Sequence, residues 1–258
     1  MDKPRPAGAV IVVGAGVSGL STALALLRYG HAVTVLERGE VGRESSWAGG
    51  GILSPLLPWD YPEAVAALAL RSMAAYPRWV AEVEAASGRA AEYWRCGMRV
   101  FDADAPEQAL GWGAAHGLAV QRQADNTLWL PEIAQVRNPR LIAALRAAVV
   151  NAGGVIREHC AATGVLTHGE RVAAVQTETE SLPAEAVVLA AGAWSGLGLA
   201  GLAPPPHIRP IRGQMLLFKL APGALDAILY RRGLYVIPRP DGHILVGTPL
   251  ENAWFDKP

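Results

Sequence analysis

The amino-acid sequence predicts an α/β fold built on a parallel sheet, and one stretch near the N-terminus carries that prediction. An apolar run, Val10–Val13, ends in a glycine-rich turn, Gly14–Gly19. A segment rich in Ala and Leu follows the turn, and a second apolar run ends at Glu37. The order strand, glycine turn, helix, strand and acid is typical of a Rossmann-like unit that binds a dinucleotide.

The glycine turn predicts a binding site for a pyrophosphate. Unpaired N–H groups and the positive end of the helix dipole both favour an anion at the start of the helix. Gly14 allows the tight turn, and Gly16 lets the backbone approach the phosphates. Gly19 lets the helix pack closely on the strand. Val17 and Ser18 open the helix and belong to the same predicted site.

Glu37 predicts the contact with the sugar. It lies about 20 residues beyond the glycines, where a carboxylate can accept hydrogen bonds from both ribose hydroxyls. The same carboxylate would repel the 2′-phosphate of NADP. Arg38, the next residue, is assigned to the cofactor as well.

A second glycine-rich segment extends the predicted site and favours FAD. Two serines precede three consecutive glycines, and the serines can bond phosphate oxygens or cap a helix. Three glycines suit a backbone that passes close to a flat ligand. A surface loop is the alternative, although the apolar residues that follow favour a buried path. A nicotinamide cofactor does not need this segment, whereas the longer, non-covalently bound FAD does. The residues assigned here are Ser45, Ser46, Gly50, Gly51 and Ile52.

At these residues the sequence resembles the D-amino-acid oxidase superfamily of flavoproteins, most of all the glycine oxidase group of bacterial thiamine biosynthesis. Residues 9–53, the stretch Leu128–Leu145 and the apolar strand before Gly192 carry the likeness, which extends over essentially the whole chain. The resemblance implies a GR2-type FAD-binding domain interleaved with an α+β substrate domain that contains an antiparallel sheet. It places Ala162 beside the adenine and Gly192 in a second flavin-side signature.

We therefore expect the FAD-binding domain over residues 1–90 and 150–204, and the substrate domain over residues 91–149 and 205–258. Helical spacing predicts helices over Pro62–Ser87 and Pro106–His116. A further helix follows Asn138, which is the predicted N-cap, with Pro139 in the first helical position.

On the substrate side, the resemblance aligns Tyr235 with a tyrosine whose hydroxyl faces the substrate carboxylate, and Leu250 with a pocket-lining position. A strand tyrosine with its hydroxyl in water is the alternative for Tyr235. Arg212 and Arg239 could reach an anionic substrate or could be solvated cations at the sheet edge.

The resemblance implies an FAD-dependent oxidase that deaminates glycine or a similar small amino acid to the imine or 2-oxo acid. Oxygen would be the acceptor, hydrogen peroxide a product, and thiazole formation the use of the imine. A related dehydrogenase that passes electrons to a quinone or carrier is the alternative enzyme. A non-catalytic dinucleotide-binding module is the alternative from another class, and an NAD-dependent dehydrogenase is the weakest reading.

Composition argues against several other classes. The net charge is zero and no long basic tract occurs, which disfavours nucleic acid and anionic membranes as partners. Cys96 and Cys160 are isolated, so a zinc site or a disulfide framework is not expected, and reduced thiols suit a cytoplasmic protein. The histidines are scattered and predict no metal site. Glycines interrupt the N-terminal apolar stretch, which suits a turn better than a signal peptide or a membrane span.

Members of the resembled family continue past the position of Pro258. Their further residues include an arginine that pairs with the substrate carboxylate and a last glycine-rich flavin loop, and no such motif follows Asp256. We expect a truncated family member with poor turnover, because a bidentate arginine clamp places the substrate. We also expect exposed apolar surface that favours association, and the sequence leaves a homo-oligomer open.

Overall fold

The computed structural model describes residues 8–202, 204–252 and 254–255, so residues 256–258 lie outside the described residues. The helices are α1 (Val17–Arg28), α2 (Ser45–Ala48), α3 (Glu63–Ser87), α4 (Pro106–His116) and α5 (Asn138–Asn151). The strands are β1 (Ala9–Val13), β2 (Ala32–Leu36), β3 (Met98–Phe101), β4 (Gln121–Arg122), β5 (Leu128–Leu130), β6 (Val155–Arg157), β7 (Ala162–His168), β8 (Arg171–Thr177), β9 (Ser181–Pro183), β10 (Ala186–Leu189), β11 (Arg212–Lys219), β12 (Ile228–Arg231), β13 (Leu234–Pro238) and β14 (His243–Glu251). Among the described residues no helix has both the length and the apolar character that a membrane span requires.

A parallel sheet with strand order β10-β1-β2-β6 holds the glycine turn. The apolar run of β1 lies in the middle of this sheet because both of its faces are covered. Val12 faces a core formed with α1 and α5, where it joins Leu20 and Leu145. Ile11 and Val13 face the opposite side. The structure thus contains the predicted parallel sheet, with β1 buried on both of its faces.

A three-stranded antiparallel sheet, β7-β8-β9, covers that opposite side. Val165 and Val175 from this sheet pack against Ile11 and Val13 of β1. Strands β7 and β8 pair antiparallel and form a hairpin. This sheet and the two helices enclose the parallel sheet between two apolar layers.

A seven-stranded sheet with order β11-β14-β13-β12-β3-β5-β4 forms the second body of the fold. It is antiparallel except where β12 runs parallel to β3. Met98, Leu130 and Ile228 are buried in its core. At its edge, β11 leaves Leu216 and Leu217 more than 60% exposed, at 62% and 65%.

Helix α5 belongs by its packing to the parallel sheet. Leu141 and Leu145 lie in the same core as Leu20 of α1, although the predicted substrate domain includes residues 91–149. These contacts favour a boundary before α5, because a helix that covers the sheet must lie beside α1. The predicted domain division otherwise stays a prediction.

The predicted N-cap of α5 is wrong by one residue, since Arg137 is the N-cap and Asn138 is already helical. The side chain of Asn138 contacts the glycine-rich segment instead. A Cβ atom built on Gly49 would lie 2.9 Å from its Nδ2, and one on Gly51 would lie 2.5 Å from its Oδ1. The side chain of Asn138 therefore packs against the glycine-rich segment and does not cap its own helix.

One ion pair ties the start of α5 to the seven-stranded sheet. Arg137 Nη1 donates to Asp241 Oδ2 at 2.7 Å, and Asp241 lies in the turn between β13 and β14. Asp241 Oδ1 also accepts from the backbone N–H of His243 at 3.1 Å. The hydrogen bond from Arg137 holds the pKa of Asp241 well below its usual range, although burial opposes the shift. The charged carboxylate is thus the form that the fold stabilises.

This tie predicts a pH-dependent contribution to stability. Because the folded pKa of Asp241 is depressed, its contribution is complete above the unfolded pKa of about 3.9 and is lost as the pH falls below it. We expect Asp241→Asn to lower the free energy of unfolding by about 1 kcal/mol at pH 7, since the pair is partly exposed to solvent. Urea unfolding should show a smaller deficit at pH 3. Asp104→Asn, at an exposed position, is the control and should match the unmodified chain at both values. An Asp241→Asn deficit of equal size at pH 7 and pH 3 would contradict the assignment.

Candidate cofactor and active site

A cavity of about 360 Å³ lies at the carboxyl ends of β1, β2 and β10. Cofactor sites occupy about 300 to 1,000 Å³, and in open parallel sheets they lie at this edge. The structure brings together at its lining most of the predicted cofactor residues. These are Gly14, Gly16, Val17, Ser18, Glu37, Arg38, Ser45, Ser46, Ala162 and Gly192.

The glycine turn has the shape of a cradle without room for side chains. Gly14 adopts a φ of +104°, and a Cβ there would lie 2.4 Å from the carbonyl oxygen of Ala190. A Cβ on Gly19 would lie 1.9 Å from the carbonyl oxygen of Gly14. Gly19 does not line the cavity itself, but its packing brings α1 against β1. The first turn of α1 therefore opens directly at the cavity.

The start of α1 offers positive character to a ligand. Its first turn contains no acidic residue. The backbone N–H of Val17 donates to Ser46 Oγ at 3.0 Å, which draws the second predicted segment to the helix start. Arg38 and Arg43 also line the cavity, where they pair with Glu44 and Glu40. The helix dipole and the free N–H groups at the helix start can hold a pyrophosphate.

The carboxylate of Glu37 is fixed by the backbone around it. Its Oε2 accepts from the N–H of Ala15 at 2.9 Å, and its Oε1 accepts from the N–H of Gly39 at 3.0 Å. Each carboxylate oxygen retains a further lone pair that can accept a ribose hydroxyl. Glu37 is thus pre-oriented at the edge of the cavity, which its spacing alone does not reveal.

Trp194 is a cavity residue that sequence reasoning missed. The guanidinium carbon of Arg38 lies 3.8 Å from the centre of the Trp194 ring, a distance typical of a cation–π contact. Both side chains line the cavity. The available signal was position, because Trp194 follows Gly192 just after the apolar strand β10.

The three consecutive glycines lie outside the cavity lining, and Gly50 packs against the seven-stranded sheet. A Cβ on Gly50 would lie 2.5 Å from Ile237 Cδ1 and 3.6 Å from Tyr235 Cε2. Gly51 adopts a φ of +76°, and Ile52 forms an antiparallel bridge with Gln135. The segment that begins in the cavity at Ser46 therefore ends beside Tyr235.

Tyr235 lies over a glycine on the neighbouring strand. A Cβ on Gly247 would come within 2.7 Å of the Cε2, Cζ and Oη atoms of the tyrosine. The ring thus passes between Gly247 and Gly50. Burial raises the pKa of Tyr235, so its hydroxyl is a neutral donor at neutral pH. No group in the described part of the chain forms a hydrogen bond with that hydroxyl.

The structure places the two candidate arginines in different surroundings. Arg239 is only 3% exposed, so it is not a solvated cation, and its guanidinium bonds to amide and carbonyl oxygens of the protein. Arg212 pairs with Glu251, with 2.5 Å between Nη2 and Oε2. Leu250 is 75% exposed on β14, and its place in a pocket lining stays a prediction.

These features fit FAD. The glycine cradle excludes side chains where a pyrophosphate would lie, and a fixed carboxylate stands where a ribose would follow. The second glycine-rich segment runs from the cavity towards Tyr235, and a ligand longer than an ADP unit would extend along it. Within the described residues no group of three His, Cys, Asp or Glu side chains could hold a metal ion.

Comparison with known proteins agrees with this geometry. Residues 9–258 match the family described as FAD dependent oxidoreductase (DAO). The chain is 43% identical to glycine oxidase of Pseudomonas putida and 40% identical to glycine oxidase of Pseudomonas aeruginosa. Each alignment covers 96% of this chain and 72% of the relative.

A solved structure extends the agreement to the fold. The crystal structure of glycine oxidase from Geobacillus kaustophilus superimposes with a TM-score of 0.86 at 24% identity, covering 98% of this chain and 74% of that one. The predicted fold class and the predicted cofactor, FAD, are confirmed, and the chain is an FAD-dependent amino-acid oxidase. This chain therefore belongs to the DAO family of FAD-dependent oxidoreductases.

Proposed function

We propose that this chain oxidises glycine, or an amino acid of similar size, to its imine and that oxygen is reduced to hydrogen peroxide. The observation that carries the proposal is the segment 45–52, which runs from the cavity to the aromatic ring of Tyr235. The substrate loses two electrons and two protons as its C–N bond becomes C=N. Oxygen takes up the two electrons and two protons and becomes hydrogen peroxide. Water then converts the imine to the 2-oxo acid and ammonia. The identity of 43% with a glycine oxidase supports glycine as the substrate.

Bound FAD supplies the two-electron acceptor, and we assign its contacts to the residues of the cavity. The start of α1 and the two serines of α2 hold the pyrophosphate, because they present N–H and O–H donors. Glu37 accepts the ribose hydroxyls, and the backbone at Ala162 contacts the adenine. Gly50, Gly51 and Ile52 would lie beside the flavin ring.

We assign the orientation of the substrate to Tyr235. Its raised pKa keeps the phenol protonated, so the hydroxyl can donate a hydrogen bond to the substrate carboxylate. Gly50 and Gly247 leave the space in which the ring lies. Leu250 is the further proposed lining residue, and its side chain is exposed and can contact a substrate.

Two wider proposals rest on the family resemblance and on the surface. Thiazole formation in thiamine biosynthesis would consume the imine. A homo-oligomer is supported by the exposed apolar side chains of β11, including Leu216 and Leu217.

The proposed pyrophosphate site predicts that Gly16→Ala weakens FAD binding without unfolding the chain. Gly16 has a φ of −76°, which alanine also adopts, and the new methyl group would lie 2.9 Å from Ser46 Oγ. We expect at least about a tenfold rise in the Kd for FAD, which corresponds to ~1.4 kcal/mol. Isothermal titration with FAD measures it. Gly111→Ala in α4, where a Cβ meets no atom within 4 Å, is the matched control and should bind FAD normally. Unaltered FAD affinity in Gly16→Ala would contradict the site.

The role of Tyr235 predicts a defect in substrate binding. The flavin-loaded chain should be bleached anaerobically by glycine, and admitted oxygen should restore the colour and yield peroxide. Tyr235→Phe should need about ten- to a hundredfold more glycine for half-reduction, because a hydrogen bond to a charged group contributes about 1.5 to 3 kcal/mol. Tyr230→Phe is the matched control, since Tyr230 pairs with Tyr235 on the adjacent strand. If glycine, sarcosine and D-alanine all fail to reduce the flavin, the proposed function is wrong. Reduction without peroxide formation would instead indicate a dehydrogenase with another acceptor.

A further inference from the structure

We propose that Arg239 is a positioning residue for the flavin: it fixes the peptide between Gly50 and Gly51 and places a positive charge behind it. The inference rests on the proposed place of these glycines beside the flavin ring. It assigns to Arg239 a role that is neither substrate binding nor surface solvation.

The guanidinium of Arg239 connects two distant parts of the chain. Its Nη2 donates to the carbonyl oxygen of Gly50 at 2.9 Å. Its Nη1 donates to the carbonyl oxygen of Val136 at 2.9 Å and to Gln135 Oε1 at 2.5 Å. Arg239 follows β13 directly, so its bond fixes Gly50 relative to the strand that carries Tyr235.

Gln135 is oriented for this contact by its other bonds. Its Nε2 donates to the carbonyl oxygen of Pro238 at 2.9 Å and to Cys96 Sγ at 3.1 Å. The side chain is 1% exposed. With both donors of the amide engaged, its oxygen is left to accept from Arg239.

The charge of Arg239 has no directly bonded carboxylate among the described residues. The nearby carboxylate of Glu92 pairs with Arg140 at 2.7 Å and with Arg137 at 3.5 Å. The Nε atom of Arg239 is buried without a hydrogen-bond partner. Burial lowers the pKa of Arg239 to about 10, so the group is still a cation at neutral pH. A buried cation that is only partly satisfied is costly, which argues that its charge is used.

The peptide that Arg239 bonds is packed closely on both sides. Gly50 lies against Ile237, and a Cβ on Gly51 would lie 2.1 Å from the carbonyl oxygen of Val136. A cation at the Gly50 carbonyl polarises the same peptide, which makes its N–H a stronger donor. Arg239 therefore sets both where this peptide lies and how strongly it binds a neighbouring negative charge, such as the one that develops on a flavin when it accepts electrons.

Three variants separate the two effects. Arg239→Gln removes both the positive charge and the guanidinium that bonds Gly50 and Val136. Arg239→Lys keeps the positive charge but lacks the guanidinium that makes these bonds. Gln135→Glu keeps the guanidinium and neutralises its charge, while it loses the two hydrogen bonds that Gln135 Nε2 donates to Pro238 and Cys96. Arg231→Gln, which removes an exposed arginine paired with Asp102, is the control.

Hydrogen exchange of residues 49–52 in the flavin-free chain reports on position. We expect exchange to be about ten- to a hundredfold faster in Arg239→Gln and Arg239→Lys, because a buried charge-assisted bond is lost. Arg231→Gln should exchange as the unmodified chain does. Unaltered exchange in both Arg239 variants overturns the positioning role.

The two-electron midpoint potential of bound FAD, measured by equilibration with reference dyes, reports on charge. We expect Arg239→Gln and Gln135→Glu to shift the equilibrium about tenfold towards oxidised flavin, which is about 30 mV for a two-electron couple. Arg239→Lys and Arg231→Gln should keep the potential of the unmodified chain. Equal potentials throughout overturn the electrostatic role. If Arg239→Gln fails to fold, Gln135→Glu and Arg239→Lys decide the question. If the unmodified chain binds no FAD, the proposed function fails, and the exchange measurement still decides the positioning role.

Discussion

The close contact between α1 and β1 is the constraint on which the rest of the structure depends. A Cβ on Gly19 would lie 1.9 Å from the carbonyl oxygen of Gly14, so only glycine permits this packing. Because the helix starts so close to the strand, its N-terminus opens at the carboxyl edge of the sheet. Ser46 and Glu37 then bond backbone N–H groups of Val17 and Ala15 around that opening. The cofactor site thus arises from backbone packing first and from side chains second.

One short segment, residues 45–52, carries this arrangement to the second sheet. It is bonded to α1 through Ser46, to Arg239 through the Gly50 carbonyl, and to Gln135 through the bridge at Ile52. Each bond contributes only about 1 to 3 kcal/mol, but all three hold the same short segment of backbone. These bonds fix the position of the seven-stranded sheet, and of Tyr235 on it, relative to the dinucleotide cavity.

Sequence reasoning succeeded where the determinants are local. The strand, turn, helix, strand and acid of Ala9–Glu37 lie in one continuous stretch, and the predicted bounds of α4 match the observed Pro106–His116. It failed where partners are distant. Strand β12 was not predicted, because it is short and pairs in parallel with β3. The burial of Arg239 was missed as well, since Gln135 and Gly50 meet it only in the folded chain.

The central claim is that one ligand spans both the glycine turn and the triple-glycine segment. Hydrogen exchange with and without FAD, read by mass spectrometry over residues 14–19 and 49–52, tests it most directly. Binding of FAD should slow exchange in both segments together, whereas ADP should slow it only in the first. Protection by FAD that is confined to residues 14–19 would contradict a continuous site.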